Sequence, residues 1–172
     1  MAMENFRQLA DYNRWANLRL YGAALDMPES QYRRSIGVFF GNLHGTLNHL
    51  LLADRIWLKR LTGSGEHPDR LDAILHDNRQ DLLRARIAED ARLIDVVRGY
   101  AEADLATQIA YQTTSGKPYR QPLQDILLHV FNHQTHHRGQ AHACCSILTA
   151  TEPPTLDLLA FQRGMPPPVL VP

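Results

Sequence analysis

Residues of apolar character recur at helical spacing over four long stretches of the chain, and polar connections separate them. From Met3 to Leu25, Phe6, Leu9, Tyr12, Asn13, Ala16 and Leu20 stand three and four positions apart, which predicts a helix. It should end before Met27-Pro28, because the residue preceding a proline avoids helical dihedrals. A polar connection from Pro28 to Gly37 follows. At about 11 residues between helices, it is long enough to cross the end of a bundle. A second helix is expected from Val38 to Leu61. It is apolar around more than half its circumference, so it belongs at the centre of a bundle. Thr62-Gly63-Ser64-Gly65 ends it, and Glu66 to Asn78 reads as irregular or short-helical. Asn78 to Leu105 reads as a charged amphipathic helix, with Leu82, Leu83, Ile87, Leu93, Ile94 and Val97 on its apolar side. Gln108 to Arg120 alternates weakly around Ser115-Gly116, the pattern of a small hairpin. Pro122 suits the first turn of a last helix running to Thr149. The tail, Thr151 to Pro172, is proline-rich; Leu156, Leu158, Leu159 and Phe161 should pack it on the body. The expected architecture is all-α: one domain over residues 1–172, a four-helix bundle with a crossed long connection and a hairpin before the last helix.

Composition narrows the picture. Lys+Arg and Asp+Glu both number 18, so the chain has no strongly basic face for nucleic acid and no acidic tail. No apolar run is long enough for a signal peptide or a membrane span, and a cytoplasmic protein is expected. Cys144 and Cys145 are neighbours about 100° apart on a helix, poorly placed to bond to each other, which fits a reducing compartment. A chain of 172 residues buries roughly 70% of its unfolded surface, so it needs neither disulfide nor metal to fold.

The nine histidines are the anomaly, since histidine is both the commonest metal ligand and the proton carrier of neutral pH. Five fall on the last helix. With His129 at zero and about 100° per residue, His133 lies near 40°, His137 near 80°, His136 near 340° and His142 near 220°. The apolar stripe of Ile126, Val130, Ala141, Cys144 and Leu148 occupies roughly 60° to 120°. His133 and His137 are therefore the pair aimed into the bundle, and their i,i+4 spacing lets two rings hold one metal. On the second helix His49 lies in line with Ala53 and Trp57 inside the apolar arc, whereas His44 lies about 140° away. His49 is the better third ligand. Three neutral imidazoles from two helices leave metal positions open, as catalytic sites do. His67 and His76 are expected in solvated connections, His136 and His142 facing solvent, and His129 at the rim. Trp15 and Trp57 could line a pocket above the metal, but as bulky residues on apolar helix faces they read first as core. Cys144 reads as a small core residue rather than a catalytic thiol.

Asn132 to Gln140, N-H-Q-T-H-H-R-G-Q, resembles the signature of the DinB/YfiT-like superfamily. Thr46 to Leu58 (T-L-N-H-L-L-L-A-D-R-I-W-L) resembles its second-helix motif, and Tyr12 to Asn17 (Y-N-R-W-A-N) its first helix. Pro153 to Leu159 is similar as well, so the resemblance spans nearly the whole chain. It implies a four-helix bundle with a crossed connection and a divalent metal, zinc or nickel, held by His49, His133 and His137. It also implies a homodimer and, by its characterised members, transferases or isomerases that use low-molecular-weight thiols such as bacillithiol or mycothiol. Members named for induction by DNA damage need no DNA chemistry.

Three functions are compatible with such a site. In a thiol S-transferase the metal lowers the pKa of a thiol, whose thiolate attacks a small electrophile in a stress or detoxification role. Tyr12 or Arg138 could contact an anionic cofactor, but Arg138 lies near 180°, where a salt bridge between helices is the simpler reading. A hydrolase would activate water and needs a general base. Asp11, Asp54 and Glu4 are available, but nothing singles one out, and no H-E-x-x-H occurs. A non-catalytic metal-binding stress protein is the third. A di-iron bundle is disfavoured more firmly, because no glutamate is followed by histidine at the third position.

Overall fold

The computed structural model describes residues 2–170, so the end of the proline-rich tail lies outside the described residues. The elements are α1 (Ala2–Asp26), α2 (Glu29–Tyr32), α3 (Leu43–Thr62), α4 (Arg79–Gly99), a 3-10 turn (Glu102–Ala106), β1 (Gln108–Gln112), β2 (Pro118–Pro122), α5 (Leu123–Thr149) and α6 (Leu158–Gln162). Helices α4 and α5 each flank both α1 and α3, so α1 and α3 stand on one diagonal of the bundle. The first connection does cross the bundle end. The start of α1 (Met3, Phe6) shares an apolar cluster with the ends of α3 and α4 and the start of α5. Its end packs with the starts of α3 and α4 and the end of α5. Helices α3 and α4 are thus parallel neighbours, and residues 63–78 must run back along the bundle between them. That returning segment covers one flank of α3.

Two helix boundaries differ from expectation. Helix α3 begins at Leu43, not Val38. Gly37 and Gly41 take φ of 78° and 81°, Val38 and Gly41 form a short bridge, and Asn42 caps the helix by accepting from Gly45 N at 2.9 Å. Left-handed glycines and an asparagine cap favour a tight loop over a helix, whatever the apolar content of the segment. The carbonyl of Phe40 folds over the first turn so closely that a Cβ on Gly45 would lie 2.2 Å from it. Only glycine admits this approach. Helix α4 ends at Gly99, not Leu105; Tyr100 is extended, and the chain restarts as the 3-10 turn. The expected hairpin is present, with β1 and β2 antiparallel. The tail packs Leu156, Leu158 and Phe161 against Tyr12, Trp15 and Ala16, but Leu159 points outward.

The bundle centre is polar at mid-height. Arg86 lies between Asp54 at 2.8 Å and Asp90 at 3.0 Å, all three buried. Asn13 and Asn17 donate to Asp90 at 3.1 and 3.0 Å, and Gln134 donates to Asp54 and, at 3.0 Å, to Leu50 O. Arg138 is buried and donates to the side-chain oxygens of Asn13 and Asn17. Two guanidiniums and two carboxylates balance. Burial nevertheless pushes Asp54 up to about 6, despite Arg86 beside it. The expected role of Arg138 in joining helices holds, but through amides rather than a salt bridge.

Candidate metal centre

Helix α3 contributes His49 and helix α5 contributes His133 and His137 to one cluster. One nitrogen from each ring can be chosen so that all three lie within 4.8 Å of one another. His49 Nε2 and His133 Nε2 are 3.4 Å apart. Two nitrogens bound tetrahedrally at about 2.05 Å stand about 3.3 Å apart, so this spacing fits one metal ion between them. Two of the rings have fixed tautomers. Leu71 O, on the returning segment, can only accept, so His49 donates to it through Nδ1 at 2.8 Å and keeps a lone pair on Nε2. The amide of Gln140 donates to His136 Nε2 at 3.2 Å, which leaves its oxygen to accept from His137 Nδ1 at 2.8 Å. Metal-binding histidines characteristically donate their remote N–H in this way.

The electrostatics favour neutral rings. Burial lowers His49 to about 4; the Leu71 carbonyl opposes the shift and the His137 ring adds to it. Burial, reinforced by the neighbouring imidazoles, lowers His133 to about 3. His137 is lowered by burial as well, partly offset by Gln140. At neutral pH all three present lone pairs rather than charges. Imidazole donors of this kind suit zinc and other borderline divalent cations.

The cluster opens into a cavity of about 680 Å³, within the range of small-molecule sites. Phe40 lies flat on His49 with ring centroids 3.9 Å apart and meets His137 edge-on at 5.5 Å. Phe39 beside it is almost fully exposed. Both are placed by the glycine loop before α3. Asp72 lines the same cavity and is paired with Arg70 at 2.8 Å.

The remaining expectations fare unevenly. His133 and His137 do not aim at the bundle centre. The buried residues of α5 centre near about 125° on the scale used above, so the pair faces the flank, toward the returning segment. The inward positions are filled by Gln134 and Arg138, polar residues that an apolar stripe leaves out. His44 is buried and hydrogen-bonded to Tyr32 Oη at 2.9 Å. His76 is partly buried rather than solvated, and His142 lies half-buried under the tail near Pro154 O at 3.1 Å. His136 is exposed at the cavity rim, and His129 stands at the rim beside Trp57. Trp15 is core, but Trp57 is only partly buried and lines a cleft. Cys144 and Cys145 are buried free thiols, and burial pushes Cys145 up to about 11. Tyr12 donates to Leu156 O at 2.6 Å, which ties down the tail. Sequence periodicity missed Leu71 O, Gln140 and Phe40.

A helical bundle with three histidines positioned on its flank to bind a divalent metal defines the class of protein. The family follows from comparison. The DinB family model matches residues 1–165, and the chain belongs to that family. It is 26% identical over 145 residues to "Protein DinB" of Bacillus subtilis, covering 79% of this chain and 81% of that protein. The crystal structure of a DinB-like protein from Bacillus cereus superposes with a TM-score of 0.64 at 17% identity, covering 98% of this chain and 97% of the other, which speaks for the fold alone. Among the described residues, no helix is long and apolar enough to cross a membrane.

Proposed function

We propose that this chain is a cytoplasmic, homodimeric metal-dependent enzyme whose zinc or nickel ion is held by His49, His133 and His137. Its reaction is the transfer of a low-molecular-weight thiol to a small electrophile. The observation that carries this reading is the convergence of three neutral, mostly preset imidazoles on one open cavity with apolar walls. A divalent metal bound there supplies the Lewis acidity that keeps a thiol ionised at neutral pH. Around it, Phe39 and Phe40 provide apolar surface for an electrophile and limit water. Leu71 O and Gln140 hold the His49 and His137 rings in orientation.

A hydrolase needs a base at the open face, and the expected carboxylates are elsewhere. Asp54 is locked in the bundle centre, Asp11 pairs with Arg98, and Glu4 pairs with Arg7 on the surface. Asp72 reaches the cavity, but Arg70 holds its carboxyl below the usual range. No reacting water is needed when the thiol itself is the nucleophile.

Elemental analysis after growth in metal-replete medium should find about one divalent ion per chain. His49→Ala, His133→Ala and His137→Ala should each lose it, and His142→Ala should retain it. Metal-free wild-type protein under those conditions overturns the site. Conjugation of bacillithiol, mycothiol or glutathione to a chlorinated aromatic, detected by mass spectrometry, is the expected activity. Turnover of esters or amides with no conjugate from any thiol overturns it in favour of the hydrolase.

A further inference from the structure

Behind the histidine cluster, away from Phe39 and Phe40, lies a second cleft of about 270 Å³. His49 and His133 form one wall, so the two cavities share the cluster. Its lining continues to Arg60, in the last turn of α3, and to Thr113 and Thr114 of the hairpin turn. Arg60 lies against two aromatic rings. Its guanidinium carbon lies 4.5 Å from the Trp57 ring centroid and 5.1 Å from that of Tyr111, and those two rings meet edge-on at 5.2 Å. Cation–π contacts of this kind hold the charge in place and leave N–H groups able to donate.

Among the described residues, none forms an ion pair or a hydrogen bond with the Arg60 guanidinium. Among the residues that line the cleft, Arg60 is the one with a fixed positive charge, and none of them is a carboxylate. Arg60 is half-buried, and burial without an anion draws its pKa below the usual arginine value. An unpaired, partly desolvated charge costs free energy and is relieved by an anionic ligand. The chemistry of that ligand is constrained. One guanidinium fork matches the two oxygens of one carboxylate. A phosphate would call for more charge, and the cleft's lining supplies a single fixed cation.

We infer that Arg60, with the Thr113–Thr114 turn, is the receptor for a carboxylate carried by the small molecule that occupies the histidine cluster. The inference rests on the cluster being the reaction site. The carboxylate belongs either to the thiol or to its electrophilic partner, and the two are separable by experiment.

The test is calorimetric titration of the zinc-loaded protein near neutral pH with two matched pairs. The first is 3-mercaptopropionate against 3-mercaptopropan-1-ol; the second is 4-chloro-3-nitrobenzoate against 4-chloro-3-nitrobenzamide. At least one acid should bind about tenfold or more tightly than its neutral partner, since hydrogen bonds to charged groups are worth that much. That preference should vanish in Arg60→Gln, survive in part in Arg60→Lys, and shrink with added salt. A preference in the first pair assigns the carboxylate to the thiol, and one in the second to the electrophile. Circular dichroism of each variant checks that the bundle is intact. If the protein takes up no zinc, the metal reading fails and the first pair is silent, but the second pair still decides the role of Arg60. Equal affinity for acid and neutral partner in both pairs, or an acid preference that survives Arg60→Gln, overturns the inference.

Discussion

The depressed pKa values of the cluster make its protonation a measurable load on the fold. In the unfolded chain each histidine titrates near 6.5, whereas in the native protein His49 titrates at about 4 and His133 at about 3. The native state thus binds fewer protons, so stability is fully present above pH 6.5 and is lost as the pH falls toward the folded values. For His49 the loss at pH 5 is about 2 kcal/mol, because the unfolded form is then almost wholly protonated and the native form almost wholly neutral. His133 is less deeply covered, so screening by solvent reduces its share to about 1 kcal/mol. Together they should cost about 3 kcal/mol between pH 8 and pH 5, or roughly 6–12 °C in melting temperature for a chain of this size. Asp54 works the other way. Its raised pKa adds stability as the pH falls through about 6, so the raw pH profile mixes both effects. The clean measurement is a difference. Chelator-treated wild type and His49→Gln/His133→Gln protein are melted across this range, and Asp54 cancels between them. The wild type should lose about 3 kcal/mol more than the double variant. Parallel pH profiles would refute the claim that these rings are held neutral by burial.

Three further perturbations bear on how the site is supported. Gln140→Ala removes the acceptor that holds His137, and should weaken zinc binding about 10–100-fold in a competitive chelator titration while leaving helix content unchanged. Gly45→Ala puts a Cβ against Phe40 O and should destabilise by about 1–3 kcal/mol in urea melts. The same change should displace Phe40 from His49, read as altered NMR shifts of that imidazole. Arg86→Met strands Asp54 and Asp90 in the bundle centre without their shared cation. It should cost about 3–5 kcal/mol near neutral pH in denaturant titration, and the loss should shrink at low pH, where protonation relieves the carboxylates.

The four long helices, the hairpin and the three clustered histidines were all legible from spacing alone. What periodicity could not supply was the direction of the true interior. Gln134 and Arg138 look like surface residues in a hydropathy pattern, yet they are buried because Asp54, Asn13 and Asn17 on other helices satisfy them. That shifts the interior of α5 about 45° beyond His137 and turns the histidines to the flank. Hydropathy starts α3 too early because Val38, Phe39 and Phe40 are apolar, although Gly37, Gly41 and Asn42 around them carry the turn and cap signals. Gln140 closes the histidine-rich signature three residues after His137, but hydropathy spacing assigns it no role, and Leu71 O leaves no local trace. A backbone carbonyl 22 residues from its histidine is found only once the returning segment is placed.

That flank position separates the site from the fold's own support. The polar centre between the two large apolar clusters is charge-balanced without a metal. The helices therefore close on one another through Asp54, Arg86, Asp90 and Arg138, while His49, His133 and His137 are free to face a cavity. A structural metal would sit where it replaces missing core, with its coordination closed by protein. Here the three imidazoles line a cavity, so an ion held by them would be within reach of a molecule in it. The segment that supplies Leu71 O arises because α3 and α4 are parallel: the chain has to travel back along the bundle, and in doing so it passes the histidines. The returning segment, residues 63–78, thus builds one wall of the site, and the parallel placing of α3 and α4 dictates its course.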